Sequence, residues 1–208
     1  MTFEELKALD HAHTLQTYGR FDVAIAHGKG ATLWDLEGKE YIDFTSGIGV
    51  NSVGYGNEQW AWSIYEQALA LGHISNLFYT QPYAKLAGTL CRRAGMAAAF
   101  FGNSGAEANE GVIKLARKYS FDKYGKGRST ILTATGQDAF HQYFYPFMEG
   151  FRYADANDLE SVKAEGGKDV CAVMLELVQG EGGGLPMEPD FVRDLAALCA
   201  ERDWLMLV

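Results

Sequence analysis

The chain has 208 residues, 48% hydrophobic and 22% charged, which excludes a disordered or fibrous protein and allows a sizeable core. Its 18 basic and 27 acidic residues leave a net charge of −9, which argues against a broad nucleic-acid or anionic-membrane surface. A local anion site is still allowed, because backbone amides can make one without any lysine.

Three cysteines, Cys91, Cys171 and Cys199, stand far apart with no C-x-x-C spacing. They read as reduced core thiols rather than as a disulfide framework or a zinc site. His11, His13, His27 and His73 show no metal-ligand spacing either. The first residues carry no basic and apolar leader pattern, and no apolar stretch is as long as a membrane span. A cytoplasmic chain without a membrane partner is therefore expected.

Two alternating runs over 31–44 flank Glu37-Gly38, where glycine accepts the positive φ of a tight turn, so a β-hairpin is expected. Glycine-rich pieces over 46–49 and 54–56 mark an irregular stretch. Asn57 predicts the N-cap of a helix running to about Leu71, and Pro82 sits at the first turn of a second helix through about Arg93. From Ala97 the pattern changes. A short apolar strand over 97–101 leads through a turn at 102–106 into a helix from Glu107 to about Lys123. That helix places Ala108, Val112, Leu115, Ala116 and Tyr119 on one face. Gly125 is expected as its C-cap, followed by a strand over 129–133. A strand near 150–153, a helix from Asn157 to about Ala164 and a buried strand over 170–176 come next. A glycine-rich loop over 179–184, a helix from Pro189 to Arg202 and a strand over 204–208 complete the reading. Such alternation implies an α/β fold with a parallel sheet, whose ligands bind outside the carboxyl ends of the strands. The apolar run at 204–208, with no helix after it, gives the expectation of a chain cut within a domain.

Gly102-Asn-Ser-Gly-Ala-Glu-Ala-Asn-Glu110 is the strongest local signal. A strand feeding a glycine turn that opens a helix presents unpaired amides at the positive pole of the dipole, where a phosphate binds without a cation. From spacing alone, Ser104 serves equally as a plain N-cap, with Gly105 as a turn residue. The same stretch approximates the G-x-S-x-G nucleophile elbow, but Ala106 replaces its last glycine and only His141 follows downstream. Glu176 stands at the end of a buried strand, with Gln179 and Glu181 on the loop after it. This is either a place for active-site groups or a flexible, solvated loop. Tyr18 and Arg20 could meet a carboxylate or simply pack at the surface. The aromatic run 140–147 reads as core or interface rather than as a stacking platform.

In order along the chain, four segments resemble class III (ω-amino acid type) pyridoxal-phosphate aminotransferases. They are the hairpin over 28–44, His73-Ile-Ser-Asn-Leu-Phe-Tyr79, Phe101-Gly-Asn-Ser-Gly-Ala-Glu-Ala-Asn-Glu110 and Glu176-Leu-Val-Gln-Gly-Glu-Gly-Gly183. Within that class the similarity is to the acetylornithine and succinylornithine branch. The resemblance implies fold-type I: a large domain with a mainly parallel sheet, smaller terminal domains and a homodimer. It places an N-terminal small-domain segment with the hairpin at 1–56 and an incomplete cofactor-binding large domain at 57–208. It also implies pyridoxal 5′-phosphate as cofactor and transfer of an amino group from N-acetylornithine or succinylornithine to 2-oxoglutarate, in arginine metabolism. Ser104, Gly105 and Ala106 would hold the cofactor phosphate, and Glu176 would lie near the cofactor. Glu181 would pair with a substrate-binding arginine, and Tyr18 would contact the substrate carboxylate.

The resemblance also shows departures. Leu132-Thr-Ala-Thr-Gly136 runs straight into Gln137, where the family has a Phe-His-Gly-Arg-Thr segment. No position here matches the Schiff-base lysine or the aspartate that keeps the pyridine nitrogen protonated, both of which the chemistry needs. No catalytic residue is therefore assigned, and the chain by itself is expected to be inactive. A non-catalytic phosphate-binding or dimerisation module is the alternative, and a serine hydrolase using Ser104 a third reading.

Overall fold

The computed structural model describes residues 1–134, 146–180 and 183–208. They divide into two units, Met1–Thr80 and Gln81–Val208.

The first unit opens with α1 (Phe3–His13), an element that the sequence reading lacks. The signal for it was present as a capping box. Thr2 Oγ1 accepts from the Glu5 amide at 3.2 Å, and the Glu5 carboxylate accepts from the Thr2 amide at 2.9 Å. Three strands follow as an antiparallel sheet: β1 (Ile25–Lys29), β2 (Thr32–Asp35) and β3 (Glu40–Ile42). The β2–β3 pair is the expected hairpin, with Thr32 opposite Ile42, Trp34 opposite Glu40, and Gly38 at φ 83° in its turn. β1 was not expected, because Gly28 weakens its pattern. That glycine is required by packing: a Cβ on it would lie 2.7 Å from the Tyr55 ring.

Beyond β3 the chain makes one left-handed turn, α2 (Ser46–Gly49), with Ser46, Gly47, Ile48 and Gly49 all at positive φ. Asp43 organises this stretch. Its Oδ1 accepts from the Thr45 amide (2.7 Å), Thr45 Oγ1 (2.6 Å) and the Ser46 amide (3.1 Å), and its Oδ2 accepts from Tyr55 Oη (2.8 Å). Donation from Thr45 and Tyr55 holds the carboxyl at about 2, below its ordinary 3.8. A carboxyl depressed on folding contributes stability that is complete above its unfolded value and is lost as pH falls through the folded one. The loop should therefore loosen as pH drops from 3.8 to about 2, seen by near-ultraviolet circular dichroism, and Asp43→Asn should show no step in that window.

The unit closes with α3 (Glu58–Leu71), capped as expected by Asn57, whose Oδ1 accepts from the Trp60 amide at 2.9 Å. No residue of α3 is buried, and Trp60 and Trp62 are 59% and 61% exposed.

The second unit begins with α4 (Gln81–Ala94), with Pro82 in its first turn as expected, and α5 (Gly105–Tyr124), which ends on Gly125 as C-cap. Between them, the strand expected over 97–101 is absent. A strand exists only within a ladder, and this run joins none among the described residues. Its aromatics serve the helices instead. Phe101 meets Tyr83 of α4 edge-on at 5.0 Å, and Phe100 lies against Gly111 of α5.

β4 (Thr130–Thr133), β5 (Phe151–Tyr153), β6 (Val170–Met174) and β9 (Leu205–Leu207) form a four-stranded parallel sheet in the order β5-β4-β6-β9. At the start of β6, Thr130 pairs with Val170 and Ile131 with Ala172, so Cys171 is the extra residue of a bulge. β7 (Val178–Gln179) and β8 (Leu185–Pro186) make a two-residue antiparallel ladder at the foot of the glycine-rich loop.

Helices cover both sheet faces, as expected for a parallel sheet. On one face α5 sets Ala116 against Ile131, Cys171 and Ala172. On the other, α6 (Leu159–Glu165) and α7 (Pro189–Arg202) bring Val162, Phe191, Leu195 and Leu198 onto Leu132, Val173 and Trp204. The buried face of α5 is rotated from the expected one: Ala116 and Ser120 are buried, while Leu115 and Tyr119 are 68% and 46% exposed. Small side chains let the helix lie close to the sheet, and their weak hydrophobicity hid the true face. α6 starts two residues later than expected. Asn157 sits at φ 59° and accepts from the Glu188 amide, so Asp158 caps the helix by accepting from the Glu160 and Ser161 amides.

All three cysteines are free. Burial pushes the Cys199 thiol up to about 11 and raises that of Cys171, as befits core thiols. Among the described residues no helix is long and apolar enough to cross a membrane.

Candidate functional site

The polarity of α5 places the site. Near its middle, Arg117 donates from Nε to the Ser129 carbonyl (3.0 Å) and from Nη2 to the Gly150 carbonyl (3.2 Å), just ahead of β4 and β5. Beyond its C-terminus, Arg128 Nε donates to the Val170 carbonyl at the start of β6 (2.9 Å). This half of the helix therefore marks the amino edge of the sheet. Going back from Arg117 to Gly105 the helix rises about 18 Å, against a length of about 13 Å for β4. The N-terminus of α5 thus reaches the carboxyl edge, where open α/β sheets bind ligands.

Ser104 is the N-cap, and its Oγ accepts from the Glu107 amide at 3.2 Å. With that lone pair engaged, its O–H hydrogen is left to donate elsewhere. The Ala108 amide bonds the Ser104 carbonyl at 3.0 Å, whereas the amides of Ser104, Gly105 and Ala106 donate to nothing among the described residues. Gly105 leaves the approach open, since a Cβ there would meet nothing within 4 Å. Three amides without a partner among the described residues and one hydroxyl lie together at the positive end of a 20-residue helix. The Glu107 carboxylate is the opposing charge. It is turned onto Asn103, accepting from its amide and, at 3.3 Å, from its Nδ2, and these donors hold its carboxyl below the usual range.

Glu176 is exposed two residues past the end of β6, on the same carboxyl edge. Gln179 Nε2 reaches the Ala134 carbonyl beyond β4 at 3.5 Å, tying the loop after β6 to the neighbouring strand. Glu181 lies outside the described residues, as do His141 and most of the aromatic run. Tyr18 belongs to the first unit and is 77% exposed on a cleft of about 500 Å³ beside α1. Arg20 in the same cleft is paired with Asp10 at 3.2 Å. The sequence assigns no role to Asn103, and Glu107, the expected helix start, lies two residues inside α5. The Ser104-x-x-Glu107 spacing was the available signal.

A parallel sheet with a helix start at its carboxyl edge is common to many α/β families. The model of class-III aminotransferases matches residues 15–148 and 133–208, and the chain belongs to that family. It is 47% identical to the acetylornithine aminotransferase of Haemophilus ducreyi, covering 100% of this chain and 57% of that protein. It is 46% identical to the acetylornithine aminotransferase of Wolinella succinogenes, over 97% of this chain and 55% of that protein. Among solved structures, the N-acetylornithine aminotransferase of Stenotrophomonas maltophilia superposes with a TM-score of 0.79 at 36% identity, covering 96% of this chain and 52% of that one. The chain thus spans about half the length of the relatives it matches, and its α/β architecture is part of fold-type I. The Haemophilus alignment runs over 223 positions for the 208 residues here, so that relative carries residues that this chain lacks. The two family matches overlap over 133–148.

Family membership implies pyridoxal phosphate, and the residues present fit its phosphate. A dianion asks for several neighbouring donors and no obstructing side chain, and the Ser104–Gly105–Ala106 turn offers both.

Proposed function

We propose that this chain supplies the phosphate cradle and part of the substrate wall of a pyridoxal-phosphate aminotransferase. The reaction moves the terminal amino group of N-acetylornithine or succinylornithine to 2-oxoglutarate, in a cytoplasmic homodimer serving arginine metabolism. The observation that carries this reading is the set of unengaged amides at Ser104, Gly105 and Ala106 on the carboxyl edge of the sheet. The names of the relatives support the choice of amino donor.

When bound, pyridoxal phosphate supplies an electron sink for the carbon that bears the amino group. The chain's own part is positioning. The three amides and the Ser104 hydroxyl grip the phosphate and fix where the ring lies, converting a diffusional encounter into an oriented one. Glu176, exposed at the strand end, supplies a carboxylate on the cofactor side, and Tyr18 and Glu181 are assigned to recognition of the substrate carboxylates. Residues 1–56 are assigned to the small-domain segment and 57–208 to part of the large domain. These 208 residues by themselves are proposed to bind the cofactor without turning over.

Fluorescence titration of the chain should show pyridoxal phosphate bound at least about tenfold more tightly than pyridoxal, with inorganic phosphate competing. The chain supplied with cofactor, N-acetylornithine and 2-oxoglutarate should release no glutamate above background. Equal binding of the two vitamers would remove the cradle, and sustained glutamate release would remove the inactivity.

A further inference from the structure

We propose that Glu107 is a positioning residue for the phosphate cradle: its carboxylate holds Asn103 so that the amides of Ser104, Gly105 and Ala106 all stay free for a single anion. The inference rests on the cradle reading above and adds a part that neither the fold nor the family match assigns.

The chain contains its own control. In an ordinary capping box, the acidic residue at the third helical position accepts from the amide of the N-cap itself. α1 does this, with Glu5 taking the Thr2 amide at 2.9 Å. α5 has the same spacing, Ser104 and Glu107, and the same first half, the Glu107 amide on Ser104 Oγ. Its second half is shifted by one residue. The Glu107 carboxylate accepts from the Asn103 amide and from Asn103 Nδ2, and leaves the Ser104 amide unused. One helix start consumes its N-cap donor, while the other keeps three consecutive donors open.

Gly102 makes the shifted form sterically available. A Cβ at that position would lie 3.1 Å from Glu107 Cβ and 3.4 Å from Glu107 Oε2, so a side chain there would press the carboxylate out of place. The hold on Asn103 is two-pointed, through backbone and side chain, and fixes the residue that leads into the turn. It also directs the carboxylate's lone pairs at fixed donors, which offsets the repulsion that a negative group at an anion site would otherwise exert.

Three variants and two vitamers test this. Affinities for pyridoxal phosphate and pyridoxal are measured by titration, and helix content by far-ultraviolet circular dichroism. Glu107→Ala should lower the preference for the phosphorylated form by about tenfold, the scale of one charge-assisted hydrogen bond, while pyridoxal affinity stays put. Glu107→Gln keeps an oxygen for the Asn103 amide and should recover most of the preference. Gly102→Val should reproduce the alanine loss by displacing Glu107. A native chain that prefers pyridoxal phosphate and keeps that preference in Glu107→Ala would overturn the role of Glu107 alone. So would an equal loss of both vitamers, which marks a merely structural residue. A native chain without any preference would overturn the cradle and this assignment together.

Discussion

Gly105→Asp is expected to bind pyridoxal phosphate at least a hundredfold more weakly than the native chain while folding no less well. The two effects separate because of where the residue sits. A Cβ at 105 meets nothing within 4 Å, so the folded chain accepts it without strain. An acidic group in the first turn interacts favourably with the helix dipole, by about 0.3–1 kcal/mol, and replacing glycine also raises helix propensity. For the ligand, the same carboxylate lies against a phosphate dianion. At a separation of about 5 Å and an effective dielectric of about 20, each pair of charges costs roughly 3 kcal/mol, which alone exceeds a hundredfold. Titration with the cofactor and urea unfolding on the same preparation check both halves. Unchanged affinity would show that the phosphate lies elsewhere.

Leu195→Ala is expected to give the largest loss of stability, about 2–5 kcal/mol, because the site cannot collapse around the missing carbons. Leu195 is fully buried on α7, within the cluster that joins Leu132, Val173, Leu198 and Trp204. The urea midpoint of the second unit reports it. Leu115→Ala is the matched control: the same atoms are removed from a side chain that is 68% exposed, and the change should stay within about 0.5 kcal/mol. Equal losses would mean that α5 turns its Leu115 face to the core in solution.

The contrast between Leu115 and Leu195 shows where sequence reading held and where it failed. Elements bounded by residues with one conformational role were placed well. Asn57, Gly125 and Pro189 cap or start their helices as expected, and the β-branched and apolar run over 170–174 is a central strand. Failures came where the deciding partner is distant. Residues 97–101 have strand composition but no neighbour to pair with among the described residues, and Asn157, the expected start of a helix, instead accepts from the Glu188 amide. α5 buries Ala116 as expected but pairs it with Ser120 in place of Leu115 and Tyr119, and the small Ser120 side chain leaves almost no hydrophobic signature. At the site, a strand–turn–helix pattern was enough to mark Ser104 and Gly105. The shift of the Glu107 carboxylate to Asn103 could not be read, because the same spacing in α1 gives the ordinary box. The clearance over Gly102 and the side-chain amide of Asn103, where Met1 stands ahead of α1, set the two apart.

The order β5-β4-β6-β9 has a consequence for how the polypeptide comes off the ribosome. The meander of β1, β2 and β3 is stitched by short turns and can close within about 1–10 μs of its emergence. β4 has no such partner at hand, because its neighbours β5 and β6 follow only at 151–153 and 170–174. At about 5–20 residues per second, translation from residue 133 to 174 takes roughly 2–8 s. Until that interval ends the apolar segment at 130–133 lacks one or both of its lateral neighbours, the period in which a nascent chain depends on chaperones.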